Sequence, residues 1–124
     1  MKIFTSITEW QSWRAAMQES PVGFVPTMGA LHQGHLSLVT ASRENNAFTI
    51  VSVFINPKQF DDSADFDAYP NDFRKDLERL KNAGVDAVFL PDSAQIYADD
   101  YRFKVTESKF SQHLCGAHRP GHFD

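Results

Sequence analysis

Two histidines three positions apart, His32 and His35, with Gly34 between them, are the residues of this chain whose types and spacing best suit chemistry. They stand in Pro26-Thr27-Met28-Gly29-Ala30-Leu31-His32-Gln33-Gly34-His35-Leu36, which reads as the exit of a strand followed by the start of a helix. Side chains at i and i+3 share a helical face, so the two imidazoles are expected to point at the same ligand. A helix N-terminus leaves backbone N–H groups unpaired and carries partial positive charge, so it attracts phosphate before any side chain is considered. Gly29 permits a sharp exit from the strand, and Gly34 removes a Cβ that would hold a base or ribose off the first helical turn. Zinc fits this spacing less well. Metalloprotease histidines stand at i and i+4 with Glu beside the first, whereas here the neighbour is Gln33, so no metal ligands are assigned.

The elements that must position these residues follow from the apolar pattern. Lys2 to Thr5 suits a short strand, and Ser6 with Glu9 has the spacing of a capping box. Trp10, Trp13 and Met17 recur at helical spacing as one buried stripe, in a helix that Pro21 ends. Val22 to Val25 reads as a buried strand closed by Pro26. Leu36, Val39, Ala41 and Ser42 suit a helix lying on a sheet and finishing near Asn45-Asn46. Phe48 to Ile55 is apolar on both alternate sets of positions, the mark of a central parallel strand covered on both faces, and Asn56-Pro57 stops it. Phe73, Leu77, Leu80 and Ala83 define the apolar face of a further helix, with Arg74, Lys75, Glu78 and Arg79 facing elsewhere and Gly84 as its C-terminal glycine. Val85 to Leu90, closed by Pro91, supplies another strand, and Arg102 to Val105 reads as irregular or edge chain.

This alternation predicts an α/β fold with right-handed crossovers and a doubly wound parallel sheet. Ligands of such sheets bind beyond the carboxyl ends of the strands, here Pro26-Thr27-Met28-Gly29 and Asn56-Pro57-Lys58-Gln59. The chain of 124 residues suits one domain. No apolar run approaches the ~20 residues that span a bilayer, and no secretory leader is evident, so a cytoplasmic location and no membrane partner are expected. A net charge of −4 offers no broad attraction for a polyanion and argues against nucleic acid. The single cysteine, Cys115, reads as a small apolar side chain.

The stretch Val25 to Val39 resembles the nucleotide-binding signature of the pantothenate synthetase family almost residue for residue, whereas other nucleotidylyltransferases share only the His-x-Gly-His part. Three further blocks match the same family in order: Val51 to Phe60, Asp67-Ala68-Tyr69-Pro70, and Arg119-Pro120-Gly121-His122-Phe123. Asn71 stands where family members commonly carry arginine.

The resemblance implies a Rossmann-like sheet of the HIGH-motif nucleotidylyltransferase type. It also implies a pantoate–β-alanine ligase that consumes ATP with Mg²⁺ on the leaving phosphates and passes through pantoyl adenylate. Met28, Gly29, Ala30, Leu31, His32, Gln33, Gly34 and His35 would line the ATP site, with His35 as the catalytic donor and His32 assisting. Gln59 and Met28 would hold pantoate or β-alanine, and Asn56, Tyr69, Arg119 and His122 are further candidates. At Asn56, turn-shaping competes with a ligand role, and at Tyr69 and Asp76 an ordinary loop aromatic and a solvated helix charge compete with a place near the site.

On this reading residues 1–124 are an incomplete amino-terminal nucleotide-binding domain, since family members continue into triphosphate-gripping segments and a carboxyl-terminal domain. Weak nucleotide binding, little turnover alone, and a homodimer formed through an exposed sheet edge are expected. Two other functions suit the same motif: a nucleotidylyltransferase acting on a phosphorylated acceptor, and a non-catalytic nucleotide-binding module.

Overall fold

The computed structural model describes residues 1–17, 20–60, 66–70, 72–99, 102–119 and 122–123. Strand β1 (Lys2–Phe4) leads into α1 (Ile7–Ala15), then β2 (Val22–Thr27), α2 (Gln33–Asn45) and β3 (Phe48–Val53). A 3₁₀ turn (Pro57–Gln59), α3 (Phe73–Asn82), β4 (Ala87–Phe89) and the short α4 (Ser93–Ile96) follow. The four strands form one sheet in the order β1-β4-β3-β2, and every neighbouring pair is parallel. Parallel neighbours need a crossover, which the helices provide.

β3 runs between β2 and β4 and is buried from Thr49 to Val53, as its two-sided apolar pattern requires. Around it Val25, Leu31, Val39, Val51, Val53, Leu80, Val85 and Val88 form the core. β2 is an edge, which explains why Pro26 lies inside the strand instead of closing it: on an edge the missing N–H costs no ladder bond. The strand therefore runs one residue past Pro26, to Thr27.

α2 comes unusually close to β2. A Cβ on Gly23 would lie 1.9 Å from Ser42 Oγ and 2.6 Å from Asn46 Nδ2. Glycine lets Ser42 reach across to Thr49 Oγ1 at 2.8 Å, which joins α2 to the central strand. Ala41, expected on the same buried face, is exposed because it lies off the line from Val39 to Ser42.

Helix α1 starts at Ser6, whose Oγ accepts from Glu9 N–H. It ends at Ala15, well before Pro21, and Arg14 donates to the carbonyl of Met17 as the chain leaves the helix. Trp10 and Trp13 pack on Phe4 and Phe89 at ring distances of 5.1–5.9 Å, yet both indoles and Met17 stay half-buried, because α1 covers the β1 edge. At the far end of α3, Gly84 takes φ +77 and Arg43 donates to the Ala83 carbonyl at 3.0 Å, closing the helix as the C-terminal glycine suggests. Phe73, at the start of α3, is 38% exposed, whereas Asp76 and Leu80 further along the same face are buried, so the inward face takes in a carboxylate among its apolar residues.

Beyond α4, residues 102–105 are exposed and have no regular structure. Cys115, at the start of α5 (Cys115–His118), is exposed and not packed as a small apolar residue. Among the described residues no helix is long and apolar enough to cross a membrane.

The close approach at Gly23 gives a first prediction. Gly23→Ala should lower stability by about 1–3 kcal/mol, because the added methyl must displace Ser42 from Thr49 or lift α2. Urea unfolding measures it, and a variant as stable as the parent would show that the two elements have slack there.

Candidate functional site

The cleft is built where β2 and β3 end. Thr27 Oγ1 donates to the Ser52 carbonyl at 2.9 Å and accepts from Gly29 N–H at 3.3 Å, so the first turn beyond β2 is tied to β3. Gly29 then takes φ +82 and Ala30 φ +50. Two successive left-handed residues reverse the chain. For alanine that conformation costs roughly 1–2 kcal/mol, so the surroundings must hold it. A Cβ on Gly29 would meet Asp76 Oδ2 at 3.2 Å and Val53 Cγ1 at 3.3 Å, which leaves little room for any other residue there.

The turn delivers Leu31 into the core at 1% exposure. Both polar groups of its backbone are engaged by α3: Leu31 N–H donates to Asp76 Oδ1 at 2.9 Å, and Arg79 Nη1 donates to the Leu31 carbonyl. Leu31, expected along the nucleotide site, is thus a core residue whose amide and carbonyl are already occupied.

His32 is the N-cap of α2 and lies just outside the helix, with φ −131 and ψ 180. Its Nδ1 accepts from Gly34 N–H at 3.0 Å, and His35 Nδ1 accepts from His32 N–H at 3.3 Å. The two rings lie 4.0 Å apart with a tilt of 39°. The pair is a reciprocal cap made of imidazoles in place of the usual Ser and Glu. An Nδ1 that accepts leaves the proton of the neutral ring on Nε2, so each histidine keeps one N–H donor directed away from the backbone.

This arrangement changes the role expected of Gly34. A Cβ there would stand 2.9 Å from His32 Cε1, so the glycine makes room for the capping ring, and its own N–H is taken by that ring and not left open for phosphate.

His35 is the better placed of the two. Together with Pro26, Thr27, Met28, Ser52, Phe54, Asn56, Gln59 and Tyr69 it lines a cavity of about 480 Å³ at the carboxyl ends of β2 and β3. Met28, Gln59 and Tyr69 also face an adjoining cavity of about 690 Å³, whose other walls are Phe60, Ala68, Pro70, Arg119 and His122. His32 and Gln33 are exposed beside the cleft and line neither cavity, and Gly29 and Ala30 shape the turn without facing either.

His35 is held below the ordinary imidazole value, first by desolvation and then by the His32 ring, while the Asp76 carboxylate pulls the other way. It therefore stays neutral at neutral pH, as a donor through Nε2.

The remaining candidates fall on the cleft with distinct duties. Asn56 shapes the turn: its Oδ1 accepts from Lys58 N–H at 3.1 Å and from Tyr97 Oη at 2.7 Å, although the residue also reaches the cavity wall. Tyr69 packs edge-on against Phe60 at 5.4 Å. Arg119 donates to the Gln59 carbonyl at 2.5 Å and so closes the larger cavity over the 3₁₀ turn. His122 Nδ1 is buried without a partner among the described residues at that cavity's wall. Asn71, Pro120 and Gly121 lie outside the described residues.

Asp76 and Arg79 escape a reading of charge alone, because α3 carries Arg74, Lys75, Glu78 and Lys81 as well. The spacing of Phe73, Asp76, Leu77 and Leu80 does place Asp76 on the inward face.

Comparison with known proteins agrees with this geometry. The family described as Pantoate-beta-alanine ligase matches residues 2–124. Pantothenate synthetase of Bdellovibrio bacteriovorus is 47% identical over 99% of this chain and 49% of its own length. That of Thermotoga petrophila is 46% identical over 99% and 45%. The crystal structure of the Francisella tularensis pantoate-beta-alanine ligase, complexed with Beta-gamma ATP and Beta-alanine, superposes with a TM-score of 0.92 at 38% identity, covering 99% of this chain and 48% of that one. A Thermus thermophilus pantothenate synthetase gives 0.87 at 42% identity, over 99% and 44%. The chain spans about half the length of the relatives it matches. With its parallel sheet, its histidine-capped turn and a family match that runs nearly end to end, the chain belongs to the pantoate–β-alanine ligase family.

Proposed function

We propose that this chain is the amino-terminal, nucleotide-binding part of an ATP-dependent ligase that joins pantoate to β-alanine through a pantoyl adenylate, releasing AMP and pyrophosphate. The observation that carries the reading is the convergence of His35 and Gln59 on one cleft at the carboxyl ends of β2 and β3. Family membership supplies the substrate class, and the Francisella ligase was crystallised with an ATP ligand and β-alanine.

In the first step a pantoate carboxylate oxygen bonds to the α-phosphorus of ATP as the bond to pyrophosphate breaks. A carboxylate with a reference pKa of ~4 is already ionised at neutral pH, so this step needs alignment and charge stabilisation but no base. The Nε2–H of neutral His35, assisted by His32, would donate to phosphate oxygens where charge accumulates. Met28 and Gln59, shared by both cavities, would hold pantoate between the nucleotide and the larger cavity, where Tyr69, Arg119 and His122 add polar groups. In the second step the amine of β-alanine attacks the acyl carbon, the bond to AMP breaks, and the amine gives up a proton. Asn56 serves by keeping the 3₁₀ turn, and with it Gln59, in place.

Mg²⁺ bound with ATP would supply charge neutralisation on the departing pyrophosphate. Among the described residues no group of three or more His, Cys, Asp or Glu could hold a metal ion.

We also infer a cytoplasmic location and a homodimer. The support for the dimer is the open β2 edge, with Phe24 56% and Leu38 55% exposed, together with Phe103, Val105, Phe110 and Leu114, each at least 79% exposed. Light scattering should give twice the chain mass at micromolar concentration, and a monomer at that concentration would overturn the dimer.

ATP titration followed by NMR tests the nucleotide site. Shifts should cluster on the amides around Met28 to His35 and on the His35 ring, and His35→Ala should weaken the affinity on the order of tenfold, the worth of one hydrogen bond to a charged group. Pantoate added next should move Gln59 and Tyr69. Perturbations confined to another surface would sink the reading, and exchange of pyrophosphate driven by a phosphorylated acceptor in place of pantoate would favour the nucleotidylyltransferase.

The sign of the pH effect follows from His35. Its folded pKa lies below the ordinary value, so its contribution to stability is complete above about 6.5 and is lost as pH falls through the lowered midpoint, where Nδ1 gains a proton and ceases to accept from His32 N–H. A ring titration should place the His35 midpoint below 6.5, with unfolding free energy declining through the same window. A midpoint above the ordinary value would contradict the burial of the ring.

A further inference from the structure

The histidine turn is strained and is gripped from one side. Gly29 and Ala30 both take positive φ, and alanine does not hold such a conformation unless its neighbours impose it. The next residue, Leu31, has its N–H bonded to Asp76 and its carbonyl bonded to Arg79. Those two side chains stand at i and i+3 on α3, one turn apart on the same face. They come from 45 and 48 positions further along the chain, so nothing local to the turn provides this grip.

Asp76 is 3% exposed, an uncommon place for a carboxylate, and its second oxygen abuts Gly29. No surface ion pair accounts for it. The one ion pair found on α3 among the described residues joins Lys75 to Asp72 at its solvent-facing start.

We propose that Asp76 and Arg79 are positioning residues: by bonding both backbone groups of Leu31 they lock the left-handed turn and so set where the His32–His35 cap meets the cleft. The proposal rests on the reading of that cleft as the nucleotide site. It deepens that reading by assigning the alignment of the histidines to α3, an element whose Asp76 and Arg79 line neither cavity. The Asp76 carboxylate also favours the protonated His35 ring, against the desolvation and the His32 ring that lower its pKa, so the group that fixes the turn also bears on the ring's proton.

The test separates hydrogen bonding from charge and geometry from binding. Arg79→Lys and Asp76→Asn keep a donor and an acceptor for Leu31, while Arg79→Met and Asp76→Ala remove them. In folded protein the amide-to-Hα coupling of Ala30 reports its φ without any ligand present. Arg79→Met and Asp76→Ala should shift that coupling away from its left-handed value and weaken ATP binding on the order of tenfold. Arg79→Lys and Asp76→Asn should retain the parent coupling and stay within about twofold in affinity.

Should Asp76→Ala fail to fold, Arg79→Met decides, because Arg79 lies at the surface of α3. A parent-like Ala30 coupling in Arg79→Met overturns the proposal. So does lost affinity with the coupling unchanged, which would mean that Arg79 touches nucleotide itself. If the parent chain binds no ATP at all, the reading of the cleft fails, and the coupling still decides the grip.

Discussion

The site depends on a single backbone constraint: the chain must leave an edge strand, reverse direction within two residues, and enter a helix with its first turn facing the cleft. Burial of Leu31 sets the endpoint of that reversal, since a side chain at 1% exposure cannot slide without opening the core. Gly29 and Ala30 then have no alternative to the left-handed region. The geometry of the histidines is thus a consequence of core packing on one side and hydrogen bonding to α3 on the other. Local helix propensity has little to do with it.

Using histidines as the cap ties fold and chemistry together. In an ordinary capping box Ser and Glu fill the terminal amides and take no further part. Here the Nδ1 atoms do that work, which fixes the tautomer and leaves Nε2–H for a ligand. Desolvation keeps the His35 ring neutral, so donation to phosphate does not require a charged imidazole held next to a second one. On the proposed reading of the cleft as a nucleotide site, a neutral His35 donor gives up some attraction for the ground-state polyanion and gains a defined orientation.

Much of this was legible in the residues. The two-sided apolar run of β3, the Ser6 cap, the C-terminal glycine at Gly84 and the strand-to-helix placement of the histidines all rest on short-range rules, and the structure bears them out. What escaped rests on long-range arrangement. Pro26 reads as a terminator until the sheet order shows that β2 is an edge. At Asp76 a solvated helix charge competes with a place near the site that the family resemblance implies, and its grip on Leu31 goes unread because that partner is 45 residues away. Gly34 reads as an opening for ligand, whereas the space it leaves is filled by a ring that periodicity would have placed on the helix face.

Pro26 has a further effect on how the sheet can grow. Thr27 accepts from Phe54 N–H across the β2–β3 ladder, so residues in phase with Pro26, namely Val22 and Phe24, turn their amides toward the outer side. At Pro26 that outer row has a carbonyl but no donor. A strand laid against β2 would zip along its first half and lose its grip at Pro26, on the wall of the cleft, so the same ring that is harmless to the sheet inside would keep the mouth of the cavity from being paved over.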